Sequence, residues 1–570
     1  MTSKPAHGQF ILCVLLASCA PYPPVASPTP ALPAYDVIIR NGTIYDGSGG
    51  ASYVGDVLIN GDKIVAVGPA AKARGRTEID AAGLAVAPGF INMLSWATES
   101  LIADGRGQSD IRQGVTLEVM GEGESMGPWN ATMKANEAAR QGDIKYRIDW
   151  NSLGEYLAYL EKKGISPNVA SFVGATTVRV HELGEGDVDP TPEQLQRMRL
   201  LVRQAMNEGA MGVGSSLIYA PANFAETPEL IALASEAGRC GGMYISHIRD
   251  EGPKLLEAID ELVEISEKSG APAEIYHFKQ SGRDNWHKID AAIARVEAAR
   301  ARGLRITADM YTYPASSTGF DAAMPLWVQA GGIEQWVKRL KDPALRAKAL
   351  KEMRSPQASE NTKLAVQEPD KVILVGFKTA ALKPLTGKTL GEVARERAKP
   401  PEEVIADLIV ADGTRIQVVY FGMSGENVAR HVTLPWMAFD SDAAAMAPEG
   451  VFLKSSTHPR AYGNFARLLG KYVREEKRVT MAEAVRRLTS FPASNLGLKD
   501  RGALKPGNFA DIAIFDPAKI ADRATFTRPQ QYAVGMVHVL VNGVPVLRDG
   551  EHTGATPGRF VKGPGAGRCS

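Results

Sequence analysis

Apolar and polar residues alternate with a period of two in short runs near both ends of the chain. Tyr35-Asp36-Val37-Ile38-Ile39-Arg40, 55–59 and 64–67 read as strands punctuated by turns at Asn41-Gly42 and Asn60-Gly61. Segments 504–516 and 537–543 repeat this pattern at the far end. Between about 90 and 500 the period changes. Stretches of helical spacing at 192–205, 229–237, 254–269 and 288–302 are separated by short strand-like runs such as 169–173 and 304–309. Alternating strands and helices predict a parallel sheet, and the length of the region favours a (β/α)8 barrel, of the TIM type, over two doubly wound sheets. The outer strand runs predict one small β-sandwich made from both chain ends, 35–90 and 500–550, around a barrel at 91–499. Residues 330–425 interrupt the alternation and predict an insertion after a barrel strand, placed as a lid, while 551–570 read as a glycine-rich tail.

Composition narrows the function classes. With 570 residues, 44% hydrophobic and 23% charged, the chain has material for one large domain and a smaller one. Its 65 basic and 64 acidic residues leave a formal net charge of +1, which gives no electrostatic footprint for nucleic acid, and that partner class is set aside.

The first nineteen residues read as a leader rather than as part of the fold. Lys4 precedes an apolar run at 10–16 that is too short to span a bilayer. The run ends Leu16-Ala17-Ser18-Cys19, which resembles a bacterial lipobox, whose cysteine is lipidated and becomes the mature N-terminus. The competing reading is plain secretion with cleavage nearer Ala26. A lipid on Cys19 would be the only membrane contact, and the proline-rich 20–34 would act as a stiff spacer. Either route predicts an exported protein of the bacterial periplasm or cell envelope. Cys13 and Cys19 fall in the leader, leaving Cys240 and Cys569; one pair does not define a framework in so long a chain, and no essential disulfide is expected.

Two histidines carry the first chemical signal. His247 and His277 each close a short apolar, β-branched run and precede polar residues. They stand thirty positions apart, about one strand, one helix and two turns, so adjacent parallel strands would present them side by side. Either one alone reads as a hydrogen-bonded core histidine. Repetition at two strand ends favours a metal site.

An ordered set of motifs then identifies a family. Ala87-Pro88-Gly89-Phe90-Ile91-Asn92, the segment 212–219, Ser246-His247-Ile248-Arg249-Asp250-Glu251, His277-x-Lys279, Asp309-x-Tyr311-x-Tyr313, Asp440-Ser441-Asp442 and the segment 458–463 resemble the N-acyl-D-amino-acid deacylase (D-aminoacylase) branch of the amidohydrolase superfamily. The resemblance runs in order from about Tyr35 to Gly558. It implies metal-dependent hydrolysis of the amide bond in N-acyl amino acids or related small amides, with a substrate that bears a carboxylate. Two departures stand out. The family's His-x-His positions are Leu94 and Trp96, neither of them a metal ligand. Where the D-aminoacylases place a cysteine ligand, this chain reads Gly121-Glu122-Gly123-Glu124-Ser125, with Glu122 in register, Glu124 as its rival and Glu118 disfavoured by its position within a strand. A solvated acidic loop is the plain alternative.

The resemblance thus implies one divalent ion, zinc, held by Glu122, His247 and His277, a set that also resembles that of N-acetylglucosamine-6-phosphate deacetylases. It implies Asp442 as the proton-transferring residue, with Asp440 a less favoured neighbour, and Tyr219, Lys279, Ser317 and Arg460 around the substrate. Tyr311 and Tyr313 would shape the pocket, Asp309 would orient a neighbour and His458 would be structural. Two other readings stay open: an amidohydrolase of cyclic amides or esters, and a binding protein on a barrel that has lost its catalysis.

Overall fold

The structure, a computed structural model, describes residues 1–6, 8–9 and 34–569. The leader's apolar run, Cys13, Cys19 and the spacer up to Pro33 lie outside the described residues.

Strands Phe90–Asn92, Val115–Met120, Asn168–Ser171 with its continuation Val173–Gly174, Gly212–Ser216, Met243–His247, Ala273–Ile275 and Ile306–Ala308 run parallel. The eighth place is taken by residues 437–440. Ala438 N–H donates to Ala308 O at 2.7 Å on one side, and Met93 N–H donates to Phe439 O at 3.4 Å on the other, so the ring of strands closes. Closure leaves no free sheet edge. The helices between strands pack by one apolar stripe; in Leu255–Ser269 this is Leu255, Ile259, Leu262, Val263 and Ile265, each burial stabilising by roughly 1.5–3 kcal/mol.

Both chain ends enter one further sheet, as the strand pattern predicts. Ala85–Pro88 pairs antiparallel with Ile512–Phe515, joining the first five strands to the last four. This junction holds the chain immediately before the first barrel strand. Asn60-Gly61 makes its turn, but Asn41-Gly42 does not: Ala34–Ile44 is one strand with an irregularity there. Asn41 takes φ +56°, its N–H donates to Asp56 Oδ1 at 2.9 Å, and a Cβ on Gly42 would meet Val86 Cγ2 at 2.3 Å. The same dipeptide serves a bulge as readily as a turn, because both need a left-handed residue.

Between the seventh and eighth barrel positions lies a unit with its own sheet, in the order Ser316–Gly319, Gln417–Tyr420, Val372–Gly376, and its own apolar cluster around Trp336, Leu350, Val393 and Ile405. Its sheet opens at Ser316, earlier than the insertion expected from residue 330. The short strand Ser316–Gly319 carries too few apolar residues to announce itself. The expected tail is also corrected. Gly558, Val561 and Gly563 donate to Ile165, Val169 and Gly209 along the amino-terminal side of the barrel, and Cys569 is disulfide-bonded to Cys240 with a Cα–Cα distance of 5.4 Å. The bonded partners are 329 positions apart, a separation that no local pattern reports.

Candidate active site

The carboxyl ends of the barrel strands bring together residues from across the chain. His247 is the last residue of Met243–His247, His277 follows Ala273–Ile275 by two positions, and Glu122 follows Val115–Met120 by two. Neighbouring strands in parallel register, with Ser246 opposite Ile275, set the imidazoles side by side at a ring separation of 4.4 Å. Glu122 Oε1 lies 3.0 Å from His247 Nδ1 and 2.9 Å from His277 Nε2, and all three residues are buried. Glu124 and Glu118 stand outside this convergence. Glu124 lines the cavity without joining the trio, and Glu118 is buried behind its strand on the side of Asp110, where it accepts from Asn92 at 2.9 Å.

Two residues here hold backbone conformations that side chains disfavour. His277 takes φ +35° and Asp442 φ +44°. The first is held by Asp309, whose Oδ1 accepts the His277 N–H at 2.6 Å. The second is held by Asp442 N–H donating to Leu94 O at 3.0 Å. Strain of this kind persists where the surroundings over-determine it, and it gathers at functional sites.

A second ring of polar groups fixes the first. Glu251 Oε1 lies 3.2 Å from His277 Nδ1 and accepts from Lys279 Nζ at 2.6 Å, and Lys279 Nζ is also 2.7 Å from His277 Nδ1. Asp442 Oδ2 pairs with Arg460 Nη1 at 2.9 Å, and Arg460 Nη2 reaches Ser317 O at 3.2 Å. Tyr219 sets its ring edge against His247 at 5.2 Å and its hydroxyl 2.7 Å from Thr318 Oγ1. His458 receives the Arg460 N–H on Nδ1 at 3.0 Å and faces Ala315 O with Nε2, consistent with a neutral ring that positions the arginine. The Ser317 hydroxyl lines the cavity but donates to Val418 O at 2.9 Å within the insertion's sheet. Tyr311 also lines the cavity, whereas Tyr313 turns away to Asp522 at 2.8 Å.

Burial and neighbouring charges set the protonation pattern. Burial alone would raise the Glu122 carboxyl, but hydrogen bonds to His247 and His277 hold it well below the usual range. Glu251 is likewise held low against burial, by Lys279 and the two imidazoles. For His277, burial and the Lys279 charge oppose protonation, yet the bonds to Glu122 and Glu251 carry it up to about 9. Burial raises Asp442, with Arg460 opposing. Asp440 is driven to about 7 by burial and by the Asp442 charge. Its side chain is buried in the barrel beside Asp309, near enough to Asp442 for the like charge to raise it.

The trio fits a divalent cation. One carboxylate and two imidazoles offer ligand atoms all within 4.8 Å of one another, the donor set that zinc and similar ions take. His247 Nε2 is buried without a hydrogen-bond partner among the described residues. Above them opens a cavity of about 620 Å3 with Asp442, Arg460, Lys279 and Tyr219 in its wall and Thr318, Trp336 and Arg415 of the insertion forming its outer side. Two contributors were not legible as such in the sequence. Glu251 lies inside a quoted motif, four positions after His247, a spacing that could have marked it. Trp96 shows in the sequence only as a lost ligand, yet its indole N–H lies 3.1 Å from both Glu122 Oε2 and Asp442 Oδ1.

Comparisons with known proteins find relatives over most of the chain. Residues 77–547 match the model of the Amidohydrolase family. The chain is 31% identical over 533 residues to the D-aminoacylase of Alcaligenes xylosoxydans xylosoxydans, covering 92% of this chain and 97% of that one. A crystal structure of N-acyl-D-glutamate deacylase from Bordetella bronchiseptica, complexed with zinc and a phosphonate mimic of the tetrahedral intermediate, superposes with a TM-score of 0.77 at 27% identity, covering 93% of this chain and 100% of that one. A D-aminoacylase solved in a study of one-metal activation and second-metal attenuation of its binuclear centre gives a TM-score of 0.77 at 29% identity with the same coverage.

Proposed function

The chain belongs to the amidohydrolase family, on its D-aminoacylase branch, and from that premise we propose that it hydrolyses N-acyl-D-amino acids with a single zinc ion held by Glu122, His247 and His277. It is a hydrolase of carbon–nitrogen bonds other than peptide bonds. The observation that carries the reading is the convergence of this trio with the Asp442–Arg460 pair in the wall of one cavity.

A divalent cation bound there supplies Lewis acidity, polarising an amide carbonyl and acidifying water. The residues divide the remaining work. Asp442, in the cavity wall and paired with Arg460, would accept a proton from water and return it to the departing amine nitrogen. Burial raises its proton affinity toward what such a shuttle needs. Arg460, with planar paired donors, and Tyr219 face the same space and suit the carboxylate of the amino-acid product. Lys279 and Glu251 hold the His277 ring in one orientation. The insertion forms the outer wall of the cavity in which the amide would be held.

The site of action is proposed as the bacterial periplasm or envelope, with a lipid on Cys19 as anchor. The leader pattern supports this, and so does the Cys240–Cys569 bond, since disulfides persist in oxidising compartments. The deciding experiment joins metal analysis of the purified chain to hydrolysis of matched N-acetyl-D- and N-acetyl-L-amino acids. Turnover of the D series that vanishes with chelation and returns with zinc is the expected result. A chain without zinc, or turnover indifferent to chelation, overturns the reading.

A further inference from the structure

Trp96 sits where one N–H meets two carboxylates. Its Nε1 lies 3.1 Å from Glu122 Oε2 and 3.1 Å from Asp442 Oδ1. The arrangement is fixed by backbone on both sides: Asp442 N–H donates to Leu94 O at 3.0 Å, and Trp96 N–H donates to Ala443 O at 3.0 Å, so the loop carrying Trp96 and the loop carrying Asp442 are zipped together. The other oxygen of Glu122 faces the two histidines. Glu122 is therefore divided, with Oε1 committed to the histidine side and Oε2 capped by the indole.

Two buried carboxylates that converge on one point repel each other unless something positive stands between them. A divalent cation bridging both would do so, and so does an N–H dipole, more weakly but without any ion. We propose that Trp96 is a positioning residue that confines this site to one metal ion: its N–H holds Glu122 and Asp442 apart from each other and in place, and its ring fills the point where the two carboxylates would otherwise bridge a second cation. Leu94, buried beside it and without a donor, leaves that second position with no nitrogen ligand. The inference depends on the one-metal reading above.

The test uses the full chain, zinc as the probe, and two readouts: metal content after equilibration with excess zinc and desalting, and kcat and KM for an N-acetyl-amino acid. Wild type is expected to hold one equivalent of zinc, and the Leu94→His/Trp96→His double variant two. Trp96→Phe keeps an aromatic ring, smaller than the indole, and loses the N–H; its kcat is expected to fall about tenfold or more, the scale of a lost hydrogen bond to charged groups, with KM within about twofold and one zinc still bound. A folded double variant that stops at one equivalent, or a Trp96→Phe protein with wild-type kcat, overturns the inference while leaving the one-metal reading intact. Where the double variant does not fold, Trp96→Phe decides. A wild type that takes up no zinc overturns both.

Discussion

Asp442 and Arg460 form an ion pair, Oδ2 to Nη1 at 2.9 Å, with side-chain exposures of only 11% and 3%. A charge this buried depends on its partner, and removing one member of such a pair typically costs about 3–5 kcal/mol. Arg460 opposes the upward push that burial exerts on Asp442. Arg460→Lys keeps a cation but gives up the planar fork and its reach to Ser317 O. Asp442 works only when deprotonated, so weakening its counter-ion moves the acid limb of the kcat/KM profile to higher pH. The expected outcome is that shift together with a raised KM, read from a pH series on one N-acyl substrate. An unmoved limb would separate Arg460 from the proton chemistry.

Asp442→Asn keeps the shape and hydrogen-bonding capacity of the side chain and removes its basicity. Because Asp442 lies outside the Glu122, His247 and His277 trio, zinc content is expected to stay at the wild-type level. kcat is expected to fall by roughly 10²–10⁴, the range of general acid–base catalysis. Loss of zinc in this variant would instead make Asp442 a ligand.

His277 gives a pH prediction for metal binding. In the metal-free chain its imidazolium is favoured up to about 9 by Glu122 and Glu251, against burial and the Lys279 charge. A cation takes the Nε2 position only once that proton has left, so zinc binding at pH 7 should release about one proton, and apparent affinity should rise about tenfold per pH unit until the pH nears that value. Calorimetry in buffers of different ionisation enthalpy measures the released proton. The same shift has a sign for stability without metal: the pKa is raised on folding, so its contribution is full below the ordinary value of 6.5 and is lost as pH rises through about 9. Thermal melts of the chelated protein from pH 6 to 10 should therefore show this part of the stability declining across that interval.

The parts of this molecule that were readable in sequence are those written in local periodicity. The barrel strands, the strand runs at both ends and the strand-end pair His247 and His277 follow from spacings of two and of three to four residues. Glu122 was legible through register against a family pattern. What escaped depends on contacts between distant segments. Trp96 acquires its role only when a loop 346 positions away brings Asp442 to its N–H. Asp440 stands two residues before Asp442, yet it is buried beside Asp309, a neighbour that no sequence spacing reports. Residue types announce what a side chain is able to do, and topology decides which partner it meets.

The Cys240–Cys569 bond joins residues 329 positions apart and pins the last residues against the amino-terminal side of the barrel. Cys240 ends the helix Thr227–Arg239, so the bond ties the extreme end of the chain to a helix of the barrel wall. The catalytic groups lie at the opposite, carboxyl ends of the strands. Cross-linking residues far apart in sequence restricts the unfolded chain, and a native disulfide typically contributes about 2–4 kcal/mol. Cys569→Ser should therefore lower the apparent Tm by several degrees and make wild type, but not the variant, sensitive to reductant in the melt. kcat and zinc content should be unchanged, because neither cysteine is among the residues lining the cavity. A variant with wild-type Tm would show that the backbone bonds of Gly558, Val561 and Gly563 hold the tail unaided, and a variant with lowered kcat would show that the closed end of the barrel communicates with its open one.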